Sequence, residues 1–159
     1  MLFKIQDFID KFIKGSPKYK GALDSSLKHA NNFLKEEVGE TQDALYNFSL
    51  NEKQEGRLGF AYKEIQDEEF AGILDGCLDV IFIAYNIALQ ITEYYKPEMA
   101  RFKRYKLLER LLDEVCESNL SKANADGSVK FDPETGKILK GENYFKPRIQ
   151  KIIEEYEGE

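Results

Sequence analysis

The stretch CLDVIFIAYNIALQIT, Cys77–Thr92, limits the possible folds more than any other part of this chain. From Cys77 to Glu93 it holds no Lys, Arg or His, and it belongs to a helical pattern running from about Glu64 to Tyr95, with Pro97 marking the boundary. This second half of the helix is apolar nearly all round, which a peripheral helix of a small monomer does not need. A central position follows, or one at a subunit interface. A membrane span needs roughly 20 apolar residues. The run is shorter and contains Asp79, so the expectation is a buried helix and no membrane partner.

The rest of the chain is mostly helical in pattern. Leu2, Ile5, Phe8, Ile9, Phe12 and Ile13 recur at helical spacing, and Gly15 and Pro17 end that first helix before a Gly/Pro/Lys connector. Asp24 or Ser25 can cap a second helix with core positions Leu27, Ala30, Leu34, Val38, Leu45 and Phe48, and the polar NEKQEGRLG interrupts it. A fourth helix follows Pro97, with Phe102, Leu108, Leu111, Leu112 and Val115 facing the core. After Asn119 the helical period is lost. There Val129–Phe131 and Lys137–Leu139 flank DPETG as a small hairpin, and a short helix, Arg148–Tyr156, closes the chain. The predicted class is all-α: a bundle of four to five main helices with a short irregular or hairpin-containing C-terminal segment. All 159 residues are expected in one domain, with the core at about 22–118 and the appendage at 119–159.

Composition narrows the function. With 42% apolar and 33% charged residues the chain suits a soluble helical protein. A net charge of −6 argues against a nucleic-acid partner, which needs a basic footprint. It leaves room for a small phosphate ligand whose charge a bound cation neutralises. Cys77 and Cys116 have neither metal nor redox spacing, and Cys77 reads as a small core residue, so a reducing, cytoplasmic setting is the default. The amphipathic N-terminus carries acids, unlike a signal peptide.

The acids carry the functional signal. Glu36, Glu37 and Glu40 lie at spacings of three and four on the second helix, so like charges share a face. Glu37 follows the core residue Leu34 by three and sits at the edge of the buried stripe. On the third helix Asp75 and Asp79 are four apart, with Phe82 and Asn86 on the same stripe. A lone carboxylate inside the apolar run would cost several kcal/mol or take up a proton. A divalent cation between two facing acidic helices resolves both problems, and Mg²⁺ suits oxygen ligands. The competing reading is a solvated helix face with a cap and a salt-bridged core acid. A di-iron site fits poorly, because it wants two Glu-x-x-His pairs and the chain has only His29. Asn119 and Lys122, in ESNLSK, can meet phosphate or ribose, or can serve as a C-cap with Asn119 left-handed.

These motifs resemble the all-α nucleoside-triphosphate pyrophosphohydrolases, the MazG-like superfamily, and in particular its phosphoribosyl-ATP pyrophosphohydrolase-like branch. EEVGE (Glu36–Glu40) matches the first half of their E-E-x-x-E … E-x-x-D signature, and DGCLDVIF matches the branch's D-G-x-x-D form, with Gly76 where the general signature has an acid. The tail SNLSKANADGSVKFDPETGKILKGENYFKP follows the branch's pattern as well, so the resemblance spans roughly Leu27 to Pro147. It implies that Glu37, Glu40, Asp75 and Asp79 hold Mg²⁺, with Mn²⁺ a substitute, and that Glu36 is a further ligand or, like Glu37, acts on the water. Asn86, Asn119 and Lys122 would contact sugar and phosphates, and Tyr85 or Tyr144 would stack on a base. The implied activity is hydrolysis of a nucleotide between its α and β phosphates by a homodimer or homotetramer. Two rivals remain: a nucleotide- or metal-binding helical module without turnover, and an acidic oligomerising bundle.

Overall fold

The computed structural model describes residues 2–14, 23–58 and 66–157, and among them the fold is all-α. Helix α1 (Leu2–Phe8) runs straight into a π-helical turn (Ile9–Ile13). It is followed by α2 (Leu23–Leu58), α3 (Gln66–Tyr95), α4 (Arg101–Leu120) and α5 (Ile149–Glu157). The chain divides into two compact units, Met1–Pro97 and Glu98–Glu159.

In the first unit α1 and α2 both pack on α3. Seven residues of α1 are too few to hold a helix in water unaided. Burial of Leu2, Ile5, Ile9 and Ile13 supplies what is missing, at roughly 1.5–3 kcal/mol for each side chain fully withdrawn from water. The π turn is marked by the Lys14 N–H donating to the Ile9 carbonyl at 2.8 Å, a reach of five residues. Ala30 of α2 and Ile83 and Leu89 of α3 complete this core. Phe8 and Phe12 are exposed at the edge of the buried stripe, and Phe8 meets the Phe82 ring edge-on at 5.1 Å.

Two expectations about α2 change. The helix continues to Leu58 instead of breaking at the polar NEKQEGRLG, because Glu, Lys, Gln and Arg are good helix formers: polarity ends an amphipathic stripe, not a helix. Its described part starts at Leu23, so Asp24 and Ser25 fall within the first turn, not at a cap. Along it Leu27, Leu34 and Val38 are half-buried and Leu45 is exposed. The connector containing Gly15 and Pro17, the helix start at Glu64 and the Phe48 side chain lie outside the described residues.

Helix α3 buries one face, through Ile83, Asn86, Leu89 and Gln90. Phe70, Leu74, Leu78 and Ile81 are exposed in the single chain. The helix expected to be central or at a subunit interface is thus half enclosed within the single chain. Phe70, Ala71, Ile73 and Leu74 extend the apolar run towards the N-terminus, and by length and composition Phe70–Tyr95 is long enough to cross a membrane. Cys77 is half-buried and Cys116 exposed.

In the second unit Tyr105, Leu107 and Leu108 of α4 are buried, as is Ile152 of α5. The buried stripe is rotated from the expected one: Leu111 and Val115 are half-buried, while Phe102 and Leu112 are exposed. The reason is polar. Arg104 goes inward to donate from Nε to the Met99 carbonyl at 2.9 Å, and Glu114 goes inward to receive Arg148. The expected hairpin is present as one antiparallel bridge, Phe131 to Ile138. Its turn is closed by Asp132, which accepts from the Glu134 and Thr135 amides, and by Gly136 at φ 67°.

Glu114 is 7% exposed and accepts three bonds from Arg148: from Nε at 2.8 Å, from Nη2 at 2.9 Å and from the backbone N–H at 2.9 Å. These bonds hold its carboxyl at about 2, down from an ordinary 4.5. A depressed folded-state value means stability that is fully present above the ordinary value and lost as pH falls through the folded one. The stability difference between the wild type and Glu114→Gln should therefore be constant above pH 4.5 and shrink steadily towards pH 2. Urea unfolding followed by circular dichroism across that range checks it, and a pH-independent difference would contradict the ion pair.

Candidate functional site

Packing of α2 along α3 puts the two acidic pairs on neighbouring helices of one unit. The close approach comes at Gly76. A Cβ there would lie 2.5 Å from Thr41 Oγ1 and 3.4 Å from Thr41 Cβ, so a side chain at position 76 has no room unless Thr41 moves. Thr41 is buried beside Glu40, and its hydroxyl donates to the Glu37 carbonyl at 2.7 Å. Glycine and a hydroxyl folded back on its own helix thus let α2 and α3 approach closely next to the acids.

Glu37 is half-buried, while Glu36, Glu40, Asp75 and Asp79 are exposed. For Asp79 this corrects the sequence reading. The apolar run around it is open on that side in the single chain, so burial does not make its charge costly. The electrostatic coupling is present nonetheless. The Glu37 carboxyl is pushed above its ordinary range, first by partial desolvation and then by the charges of Asp79, Glu40, Glu36 and Asp75. Carboxylates from both helices therefore act on one group. None of the five is ion-paired among the described residues, and no three acid, His or Cys side chains there converge closely enough to enclose a metal ion as they stand. In donor chemistry the set fits a hard cation, being all carboxylate oxygen with uncompensated charge.

Beside the acids lies a cavity of about 300 Å³. Phe8, Phe12 and Ile13 form its N-terminal wall, and His29, Ala30 and Phe33 come from α2. Phe82, Ile83 and Asn86 come from α3, and Glu37 and Asp79 stand at its acidic edge. The His29 and Phe33 rings meet edge-on, 4.4 Å between centroids. Asn86 is buried, and its Oδ1 accepts from Gln90 Nε2 at 2.5 Å. The Gln90 Oε1 accepts in turn from the Ser26 hydroxyl at 2.5 Å. Tyr85 is half-buried and does not line the cavity.

Sequence reasoning missed Phe8, Phe12, His29, Phe33, Ser26 and Gln90. A signal for two of them was available: His29, Phe33 and Glu37 are four apart, which puts both rings on the face that carries the glutamate.

The other residues singled out by sequence belong to the second unit. Asn119 is exposed near the end of α4, donates from Nδ2 to the Val115 carbonyl at 3.0 Å, and accepts Lys122 Nζ at 2.7 Å. No described residue other than glycine has positive φ, so Asn119 is not a left-handed cap. The Gly141 N–H donates to the Lys122 carbonyl at 2.9 Å, and Lys140 Nζ lies 4.5 Å from the centre of the half-buried Tyr144 ring.

Compared with protein-family models, with curated proteins and with solved structures, the chain finds no match.

Proposed function

We propose that this protein is a metal-dependent nucleotide pyrophosphohydrolase that cleaves a nucleoside triphosphate, or a related nucleotide, between its α and β phosphates. The observation that carries the reading is Glu37: carboxylates from two packed helices converge electrostatically on it, beside an aromatic-walled cavity. Phosphates need a cation to approach such a cluster, and the resemblance of EEVGE and DGCLDVIF to the all-α pyrophosphohydrolases supplies the reaction type.

In this reading Glu37, Glu40, Asp75 and Asp79 hold Mg²⁺, or Mn²⁺ in its place. The bound ion supplies charge neutralisation and Lewis acidity at the phosphates. The chain's own part is to place the phosphates and to take a proton. Glu36 or Glu37 accepts the proton from water as the water oxygen bonds to a phosphorus flanking the α–β bridge and the bridging P–O bond breaks. Asn86 faces the same cavity, while Asn119, Lys122, Tyr85 and Tyr144 remain substrate contacts by resemblance alone. A homodimer or homotetramer would cover the apolar face of α3, and a cytoplasmic setting agrees with the acidic composition.

Incubation with a panel of canonical and modified nucleotides in Mg²⁺ tests this reading. Pyrophosphate should appear together with the matching monophosphate. Release of single phosphates, or no release from any nucleotide, would count against it. One observation favours a second reading, a nucleotide-binding module without turnover: at Gly76 the general signature's acid is absent and has no space. That reading requires tight nucleotide binding in Mg²⁺ or Mn²⁺ with no product.

A further inference from the structure

The cavity beside the acids is walled by rings and edged by carboxylates, and among the described residues no Lys or Arg lines it. Neither Glu37 nor Asp79 has an ion-pair partner among those residues. Negative charge at the edge of an apolar wall calls for a cation. A cation that keeps its water gains little from ring walls. One that carries methyl or other apolar groups on its nitrogen gains from the rings and from the carboxylates together.

The shape of the walls agrees with such a guest. A flat ring stacks best between near-parallel rings. Here the Phe8 and Phe82 planes stand at 81°, the His29 and Phe33 planes at 75°, and the Phe8 and Phe12 planes at 38°. Rings set at such angles make corners, and a corner takes a compact tetrahedral head better than a flat plate. The electron-rich face of a ring attracts positive charge. Phe12 shows this already: Lys11 Nζ, which is not part of the lining, stands 5.1 Å from its ring centroid.

We infer that the cavity binds a small organic ammonium ion. Its substituted nitrogen lies among Phe8, Phe33 and Phe82, and Glu37 and Asp79 balance its charge at the edge. The site does not depend on the proposed hydrolysis. The two readings share Glu37 and Asp79, however, so an ammonium ion in the cavity competes with a metal ion on the acids. A guest of this class would therefore inhibit metal-dependent turnover.

Choline and its neutral isostere, in which a quaternary carbon replaces the nitrogen, differ in charge and hardly in shape. His29 is the only histidine and lies in the cavity wall, so its ring protons give one reporter resonance. With excess chelator and constant ionic strength, choline should shift that resonance saturably, and the neutral isostere should need at least about tenfold more. Phe33→Leu keeps apolar bulk and removes a ring, while Asp79→Asn keeps the shape and removes a charge. Each should weaken choline about three- to fivefold and leave the neutral isostere unchanged. Both positions are exposed, so both variants should fold.

No saturable shift, the isostere binding as tightly as choline, or wild-type selectivity in both variants would each overturn the assignment. Uridine or adenosine shifting the resonance more tightly than choline would make the cavity a base site and overturn it too. Choline binding without pyrophosphate release from any nucleotide would sink the enzyme reading and leave the ammonium site standing. Pyrophosphate release with no choline effect would do the reverse.

Discussion

Asp79→Asn and Glu40→Gln should each cut pyrophosphate release at saturating Mg²⁺ by at least about 100-fold, with no loss of thermal stability. The two halves of this expectation have separate causes. On the proposed function, turnover falls because each change removes a carboxylate charge that would hold the cation at the phosphates. Stability holds because both side chains are exposed, have no ion-pair partner among the described residues, and add to the repulsion felt by Glu37. Neutralising either should leave the melting temperature unchanged or raise it. A coupled pyrophosphate assay and a thermal melt on the same preparations check both halves. Unchanged turnover in both variants would remove the acids from the site.

Installing the acid that the general signature has at position 76 should damage the protein, not improve it. Gly76→Glu forces a Cβ to within 2.5 Å of Thr41 Oγ1. Overpacking of that kind costs about 1–3 kcal/mol. Gly76→Ala separates the steric part from the charge: replacing a mid-helix glycine returns roughly 1 kcal/mol of propensity, so its net cost should be smaller. Thr41→Ala removes the clashing oxygen and leaves the Cβ contact at 3.4 Å, an ordinary distance. The double variant Gly76→Ala/Thr41→Ala should thus be more stable than the two single changes sum to, with a coupling of about 0.5–3 kcal/mol. Denaturant unfolding of the four proteins measures it. Strict additivity would mean that position 76 and Thr41 do not touch.

What the sequence made legible follows what periodicity can carry. The all-α class, the order of the helices and the Phe131–Ile138 hairpin contact could be read because each depends on residues close in sequence. The extent of α2 could not, since a polar stretch of good helix formers looks like a loop when only hydrophobicity is followed. The acid pairs were visible, but the expected burial of Asp79 does not hold: apolar neighbours in sequence do not bury a residue when no described residue covers that side of the helix. Glu37, placed at the edge of the stripe by its distance from Leu34, is half-buried as the spacing implies. The aromatic cavity was hidden for a different reason. It is assembled from α1, α2 and α3, and contributions from three separated segments leave no local motif. The turn of Asn119 away from a left-handed cap was equally invisible, because Lys122 engages its side chain three residues on.

The π turn at Ile9–Ile13 has an implication for how such a protein diverges. A π turn amounts to an α-helix that has accepted one extra residue, and it tends to persist where it serves a site. Here the wider turn carries Phe12 and Ile13 into the cavity wall while Ile9 and Ile13 stay in the core. Gain or loss of a single residue in this segment would swing Phe12 around the helix axis without altering any acid on α2 or α3. The N-terminal wall of the cavity can therefore change without any change in the acids, whereas Phe33, Phe82 and Asn86 share α2 and α3 with them. Insertion or deletion near the N-terminus would reshape that one wall, while the remaining lining is held by the two helices that carry the acids.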